Sequence, residues 1–286
     1  MPFATPGREN RTGTLSDHDR FSLAGDASRW EPPGMPATPL LDLRGIDKSF
    51  GPVKVLHEVA FTAYPGEVTA LVGDNGAGKT TLVNCIGGIH PWDAGDFLFQ
   101  GEPVRVNSPR EAADLGIDIV HQDLALCENL SIVQNMFLGR ERRRGLALDD
   151  AGMEELATTT LAGLSVRTVT SVRTPVASLS GGQRQTVAIA RAVLWESRVI
   201  VLDEPAAALG VAQTQQVLEL VRRLADKGLA VVLISHNMND VFAVSDRIAV
   251  LYLGRMVAQV PTASVTHAQV VELITTGRSG ELGLAR

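Results

Sequence analysis

The apolar run Val68-Thr69-Ala70-Leu71-Val72 opens without a spacer into Gly73-Asp74-Asn75-Gly76-Ala77-Gly78-Lys79-Thr80, and the helical pattern of Thr80 to Ile86 follows at once. No other stretch narrows the possible folds so far. A buried strand feeding a glycine loop that feeds a helix is a phosphate-binding context. The glycines let the backbone turn its N–H groups inward, and the helix presents the positive end of its dipole. In this spacing Lys79 reaches toward terminal phosphates, the Thr80 hydroxyl is a hard oxygen ligand suited to Mg²⁺, and Thr81 joins the phosphate-binding set.

Such a loop needs a carboxylate on the metal side. Arg198-Val199-Ile200-Val201-Leu202-Asp203-Glu204-Pro205 supplies one at the end of a second apolar strand. Asp203 is the expected Mg²⁺-side residue. Glu204 follows it, and strand alternation predicts that it points to the opposite face, where it could orient or deprotonate a water. In Ser178-Leu179-Ser180-Gly181-Gly182-Gln183-Arg184-Gln185, a serine cap and two glycines precede the helical Val187-Ala188-Ile189-Ala190. That is a second anion-binding helix start. One chain already has a phosphate loop, so this points to a site shared between two subunits.

Further apolar strands are expected at Ile117 to Val120, Ala230 to Ile234 and Ile248 to Leu251, with helical stretches between them. This alternation predicts a mainly parallel sheet flanked by helices. Before it, Leu40 to Ile46 and Val53 to Phe61 read as antiparallel strands joined by a turn at Gly51-Pro52. Between about Asp123 and Ala177 the strand signal vanishes, and helices are expected at Ser131 to Leu138 and Asp149 to Leu164. The expected organisation is a leader over residues 1–38 without periodicity, a nucleotide-binding domain over 39–278 with a helical insertion over about 123–178, and a flexible tail over 279–286. A docking motif around Phe21 or Trp30 is the other reading of the leader.

The formal charge of −6 repels polyanions on average, so nucleic acid is not the expected main partner. Cys85 and Cys127 stand too far apart for a metal-ligand pair and read as reduced thiols. The longest apolar runs fall well short of the ~18 residues that a spanning helix needs, and the first residues hold no apolar stretch of the kind a secretory signal requires. A cytosolic chain is therefore expected.

Taken in order, these segments resemble the ATP-binding subunits of ABC transporters over residues 40 to about 277. The glycine loop corresponds to Walker A, Leu179-Ser180-Gly181-Gly182-Gln183 to the signature, and Val199 to Asp203 with Glu204 to Walker B. The resemblance implies a P-loop NTPase core of the α/β class, with an antiparallel β subdomain and a helical insertion subdomain. It also implies roles for three residues that would be unremarkable alone. Gln122 in His121-Gln122-Asp123 matches a glutamine that touches Mg²⁺ or water and senses the membrane partner. His236 in Ser235-His236-Asn237 matches a histidine that contacts the γ-phosphate. Phe50, 29 residues before Lys79, matches the aromatic that stacks on adenine.

Leu71 to Thr80, Val120 to Leu126 and Asn135 to Glu141 look like the importer branch that serves ribose, xylose or fructose. Membership of that branch would imply an ATPase using ATP and Mg²⁺, with Glu204, His236, Gln122 and Lys79 catalytic. It would work as an ATP-dependent homodimer on the cytoplasmic face of the inner membrane, with transmembrane permease subunits and, indirectly, a periplasmic or extracellular sugar-binding protein. The helical insertion would contact the permease, and Arg140, Arg142, Arg143 and Arg144 form either a solvated connector or a contact to it or to acidic lipid. One segment departs from the common pattern: Ala207-Ala208-Leu209-Gly210 stands where the superfamily usually has Ser-Ala-Leu-Asp, so an acidic contact across the dimer is missing. Another cargo, or a soluble ABC ATPase of translation or DNA repair, remains the alternative, although the latter usually carries paired nucleotide domains or a long coiled coil. A non-hydrolysing regulator would need damage to Lys79, Glu204 or the signature, and all three are intact.

Overall fold

The computed structural model describes residues 38–164, 169 and 171–278. The expected leader, with Phe21 and Trp30, and the expected tail lie outside these residues, apart from the leader's last position. Strands β1 (Leu41–Phe50) and β2 (Val53–Ala63) form the anticipated antiparallel hairpin, closing with Phe50 opposite Val53 across Gly51-Pro52. Strand β3 (Val68–Val72) and helix α1 (Lys79–Ile86) flank the glycine loop. The chain then returns as β4 (Ala94–Phe99), which pairs with the free edge of β1, and β5 (Glu102–Pro103) adds to β4. Neither strand is legible in the sequence, because β4 starts Ala-Gly-Asp and its first three residues are exposed.

Next come α2 (Pro109–Asp114), β6 (Ile117–Val120), α3 (Ile132–Phe137), β7 (Arg143–Arg144), β8 (Ala147–Leu148) and α4 (Asp150–Gly163). The remainder is α5 (Gly181–Leu194), β9 (Val199–Asp203), α6 (Val211–Asp226), β10 (Ala230–Ile234), α7 (Met238–Val244), β11 (Arg247–Tyr252), β12 (Arg255–Pro261) and α8 (His267–Thr276). The β7–β8 hairpin corrects the expectation of a strand-free stretch after Asp123. Its two cross-strand pairs are wholly exposed and Gly145, with φ +68, makes the turn, so no apolar alternation marks it.

Six strands form one sheet in the order β12-β11-β3-β10-β9-β6. The five from β11 to β6 run parallel, and β12 is antiparallel at the edge. Every residue of β3 and β10 is buried, as a parallel sheet covered on both faces requires. The period of two then divides their side chains between cores. Ile200 and Leu202 join α3, α4, α5 and α6 on one face. Val199 and Val201 face α1 and the antiparallel sheet on the other. Helices α3 and α4 therefore share a core with the sheet and do not fold around one of their own.

Asn135 secures the chain between β6 and α3. It is fully buried; its Oδ1 accepts from Cys127 N at 2.7 Å, and its Nδ2 donates to Cys127 O and Ser131 O, each at 3.0 Å. Asn135→Ala strands these buried groups and is expected to lower unfolding free energy by about 2–4 kcal/mol. Urea denaturation followed by circular dichroism checks this, and a loss below ~0.5 kcal/mol contradicts it.

Candidate active site

Parallel pairing places the carboxyl ends of β3, β10, β9 and β6 side by side along one edge of the sheet, where open α/β sheets bind their ligands. The glycine loop leaves β3, Ser235-His236 leave β10, Asp203 closes β9 and Gln122 follows β6. Residues far apart in sequence thus line one cleft of about 370 Å³. Asn75, Gly76, Gly78, Lys79, Thr80 and Thr81 form one side, and Gln122, Asp203, Glu204 and His236 face them.

The loop's shape is held by its own backbone. Ala77 N donates to Asp74 O at 3.1 Å, and Gly254 N donates to Ala77 O at 2.9 Å. Gly78 takes φ +105, a conformation that few other residues tolerate, and caps α1 without any side-chain hydrogen bond. The first amides of α1 are thereby left to an anion. Lys79 is only 8% exposed, and its Nζ donates to Gly73 O at 2.7 Å and Asp74 O at 3.0 Å. Burial pushes its ammonium below the usual lysine range, against the pull of Glu204, Asp74 and Asp203.

Across the cleft, burial raises the Asp203 carboxyl above its ordinary value, opposed by His121, Lys79 and His236. Glu204 is raised for the same first reason, opposed by His236. Strand alternation does not separate these two acids, contrary to expectation. Strand β9 ends at Asp203, Glu204 turns to φ +51 with its N–H donating to Ile234 O at 3.0 Å, and both side chains line the same cleft. His236 Nε2 stands 3.2 Å from Glu204 Oε1, a buried atom that makes no hydrogen bond among the described residues. An unused acceptor beside a half-exposed imidazole suits a bound water or a phosphate-bearing ligand. Thr80, Asp203 and Gln122 supply hydroxyl, carboxylate and amide oxygens, a hard donor set that fits Mg²⁺.

Two expected groups sit elsewhere. Phe50, 43% exposed at the hairpin end, packs edge-on against His90 with ring centroids 5.1 Å apart and does not line the cleft. Val55 of the same hairpin does, and as a strand residue of ordinary pattern it carried no signal. Ser180 and Gln183 form a reciprocal cap at the start of α5: Ser180 N donates to Gln183 Oε1 at 2.8 Å and Gln183 N to Ser180 Oγ at 3.4 Å. The glycines between them have a packing reason beside any anion. A Cβ at Gly181 would stand 3.0 Å from Leu209, and one at Gly182 would stand 3.2 Å from Gln213.

The sequence profile described as "ABC transporter" matches residues 56–207. The fructose import ATP-binding protein of Rhizobium meliloti is 44% identical over 248 residues, covering 84% of this chain and 95% of that protein. The xylose/arabinose import ATP-binding protein of Sulfolobus acidocaldarius is 43% identical, covering 86% and 97%. A ribose import ATP-binding protein of Chromobacterium violaceum is 41% identical, but the match spans only 47% of it. Among solved structures, a nucleotide-free ATP-binding cassette from an ABC transporter superposes with a TM-score of 0.70 at 26% identity, covering 78% of this chain and 91% of that one.

Gly73 tests the loop without touching a polar side chain. A Cβ there collides with the main-chain oxygen of Leu251 on β11, which the sheet holds in place. Gly73→Ala is expected to cost about 1–3 kcal/mol of stability and to weaken nucleotide binding. Chemical denaturation and titration with a fluorescent ATP analogue read the two effects, and wild-type values in both would refute the collision.

Proposed function

The chain belongs to the ABC transporter family, and from that membership we propose that it is the ATPase subunit that powers import of a monosaccharide through a separate membrane permease. One observation carries the catalytic part: the phosphate loop, Asp203, Glu204, Gln122 and His236 converge on a single cleft. The functions for which the relatives are named, fructose, xylose/arabinose and ribose import, support the cargo class.

ATP is read as lying with its phosphates along the loop and the start of α1. Lys79, already buried and held by two carbonyls, brings a fixed positive charge to the terminal phosphates without having to be ordered first. Mg²⁺, held by Thr80, Asp203 and Gln122, would neutralise charge on the phosphate oxygens when bound. Glu204 positions the attacking water and accepts its proton, a task that suits a carboxyl raised by burial. His236 stands beside Glu204, where it would contact the γ-phosphate.

Ser180, Gly181, Gly182 and Gln183 do not line the cleft that holds Lys79, so we read them as completing the site of a second copy in an ATP-bound homodimer with two equivalent sites. Gly210 caps α6 where an acid is common, and next to it Val211 is 91% exposed, so this loop offers the second copy an apolar and not an acidic contact. Among the described residues no helix is long and apolar enough to cross a membrane. We assign the membrane step to the permease and place this chain peripherally at its cytoplasmic face, a reading that the import functions named for the relatives support. A cavity of about 210 Å³ between α3 and α4, walled by Phe137, Leu138 and Met153, is the surface we assign to that contact. Residues 39–278 are read as one ABC domain, with the insertion over about 123–178.

Glu204→Gln is expected to reduce ATP turnover by roughly 10²-fold or more while MgATP still binds, and to run as a dimer on a sizing column when MgATP is present. Wild-type turnover removes Glu204 from the mechanism, and a strictly monomeric MgATP-bound variant argues against the shared site. For the cargo, the native chain should co-purify with a multi-spanning membrane protein; recovery of ribosomes or DNA in its place would sink the importer reading.

A further inference from the structure

Helix α5 carries Ser180 to Gln183 at its first turn, and in its last turn Arg191 reaches across to the segment that follows Gln122. Its Nη1 donates to Ala125 O at 3.2 Å and its Nη2 to Leu124 O at 3.3 Å. The other arm of the same loop is gripped from the same end of the helix. Asp118 on β6, four residues before Gln122, accepts a short hydrogen bond from Ser197 Oγ just beyond α5, and its carboxylate attracts the Arg191 guanidinium. Arg191 is partly buried, so its charge acts through low-dielectric surroundings. Ala125, whose carbonyl it holds, sits at φ +48, a conformation that alanine seldom keeps unless held there.

We propose that Arg191 is a positioning residue that ties the Gln122 loop to the helix carrying Ser180 to Gln183, so that nucleotide in the cleft is felt at the far end of that helix. This rests on the reading of Gln122 as nucleotide-facing. A 14-residue helix is a stiff rod, about 21 Å long at ~1.5 Å per residue, and a shift at one end displaces the other. The clamp is bidentate and planar, a shape that guanidinium supplies and ammonium does not. The surroundings leave little slack. Trp195, one turn beyond Arg191, meets Phe137 of α3 edge-on with ring centroids 5.6 Å apart, and the Arg140 guanidinium lies 5.1 Å over its ring. Asn135 fixes Cys127 to Ser131 immediately downstream. The 124–125 carbonyls are thus the joint through which the loop pulls on α5.

Hydrogen exchange of the full chain tests this, read by peptide with and without Mg²⁺ and the slowly hydrolysed analogue AMP-PNP at a chain concentration where a sizing column shows a monomer, so that contact with a second copy does not itself protect 180–187. The wild-type chain is expected to gain protection over both 117–127 and 180–187. Arg191→Ala should bind AMP-PNP within about twofold of wild type and keep the change at 117–127, while the change at 180–187 falls at least roughly fivefold. ATP turnover per folded chain, with the folded fraction read by circular dichroism, should drop by about tenfold with KM within about twofold, so that loss of active protein does not account for the fall. Arg191→Lys keeps the charge but cannot span both carbonyls, so its transmission should be intermediate; it also serves as the test variant if the alanine chain does not fold. Wild-type protection of 180–187 in every folded Arg191 variant overturns the coupling and leaves the nucleotide site standing. A wild-type chain that binds AMP-PNP without change at 117–127 overturns the reading of Gln122, and the coupling with it.

Discussion

The parallel hydrogen bonding of β3, β10, β9 and β6 is the constraint on which the rest depends. It sets four carboxyl ends on one edge, at about 4.8 Å per strand. The loops that leave them therefore meet within reach of one ligand. The arrangement requires that both faces of the sheet be covered, and alternate apolar side chains of β9 do this by joining two separate cores. The antiparallel hairpin and the helical region are thus walls of the sheet's own cores as much as subdomains.

That edge concentrates charge out of water. Lys79, Asp203 and Glu204 are each shifted toward their neutral forms by burial; Lys79 is drawn back by the two acids and each acid by Lys79 and His236, while Asp203 pushes Glu204 further toward neutrality. A cluster of this kind costs folding energy when alone and is stabilised by a ligand that brings phosphate and a cation together. Ligand binding and closure of the site are therefore expected to be one event. On the proposed reading the clamp at Arg191 extends it, because Arg191 joins the loop assigned to the ligand to the helix assigned to a second copy through the carbonyls of Leu124 and Ala125.

Much of the core was legible. The strands at Val68, Ile117, Val199 and Ala230 and the helix after Lys79 stand where short apolar runs and glycine placed them, because strands of a sheet covered on both faces are mostly apolar, with Thr69 inside β3 and Asp118 inside β6 as polar exceptions. Strands β4, β7 and β8 were not legible. Their residues are largely exposed, and their pairing depends on a distant partner or on a glycine turn. Glu204 was expected on the face opposite Asp203 and instead shares its cleft, because alternation holds only within a strand and β9 ends one residue earlier.

The sequence alone determined the phosphate loop, the two acids, the ordered series of motifs and the parallel sheet, since each is a local pattern of residue types and spacing. Only the tertiary structure decided that Gln122, Asp203, Glu204 and His236 face Lys79 across one cleft, that Val55 and not Phe50 lines it, and that Arg191 binds the chain beyond Gln122. Those relations depend on strand order and on the packing of helices across the sheet. Both are set by contacts between residues tens to hundreds of positions apart, for which no single stretch of sequence carries a pattern.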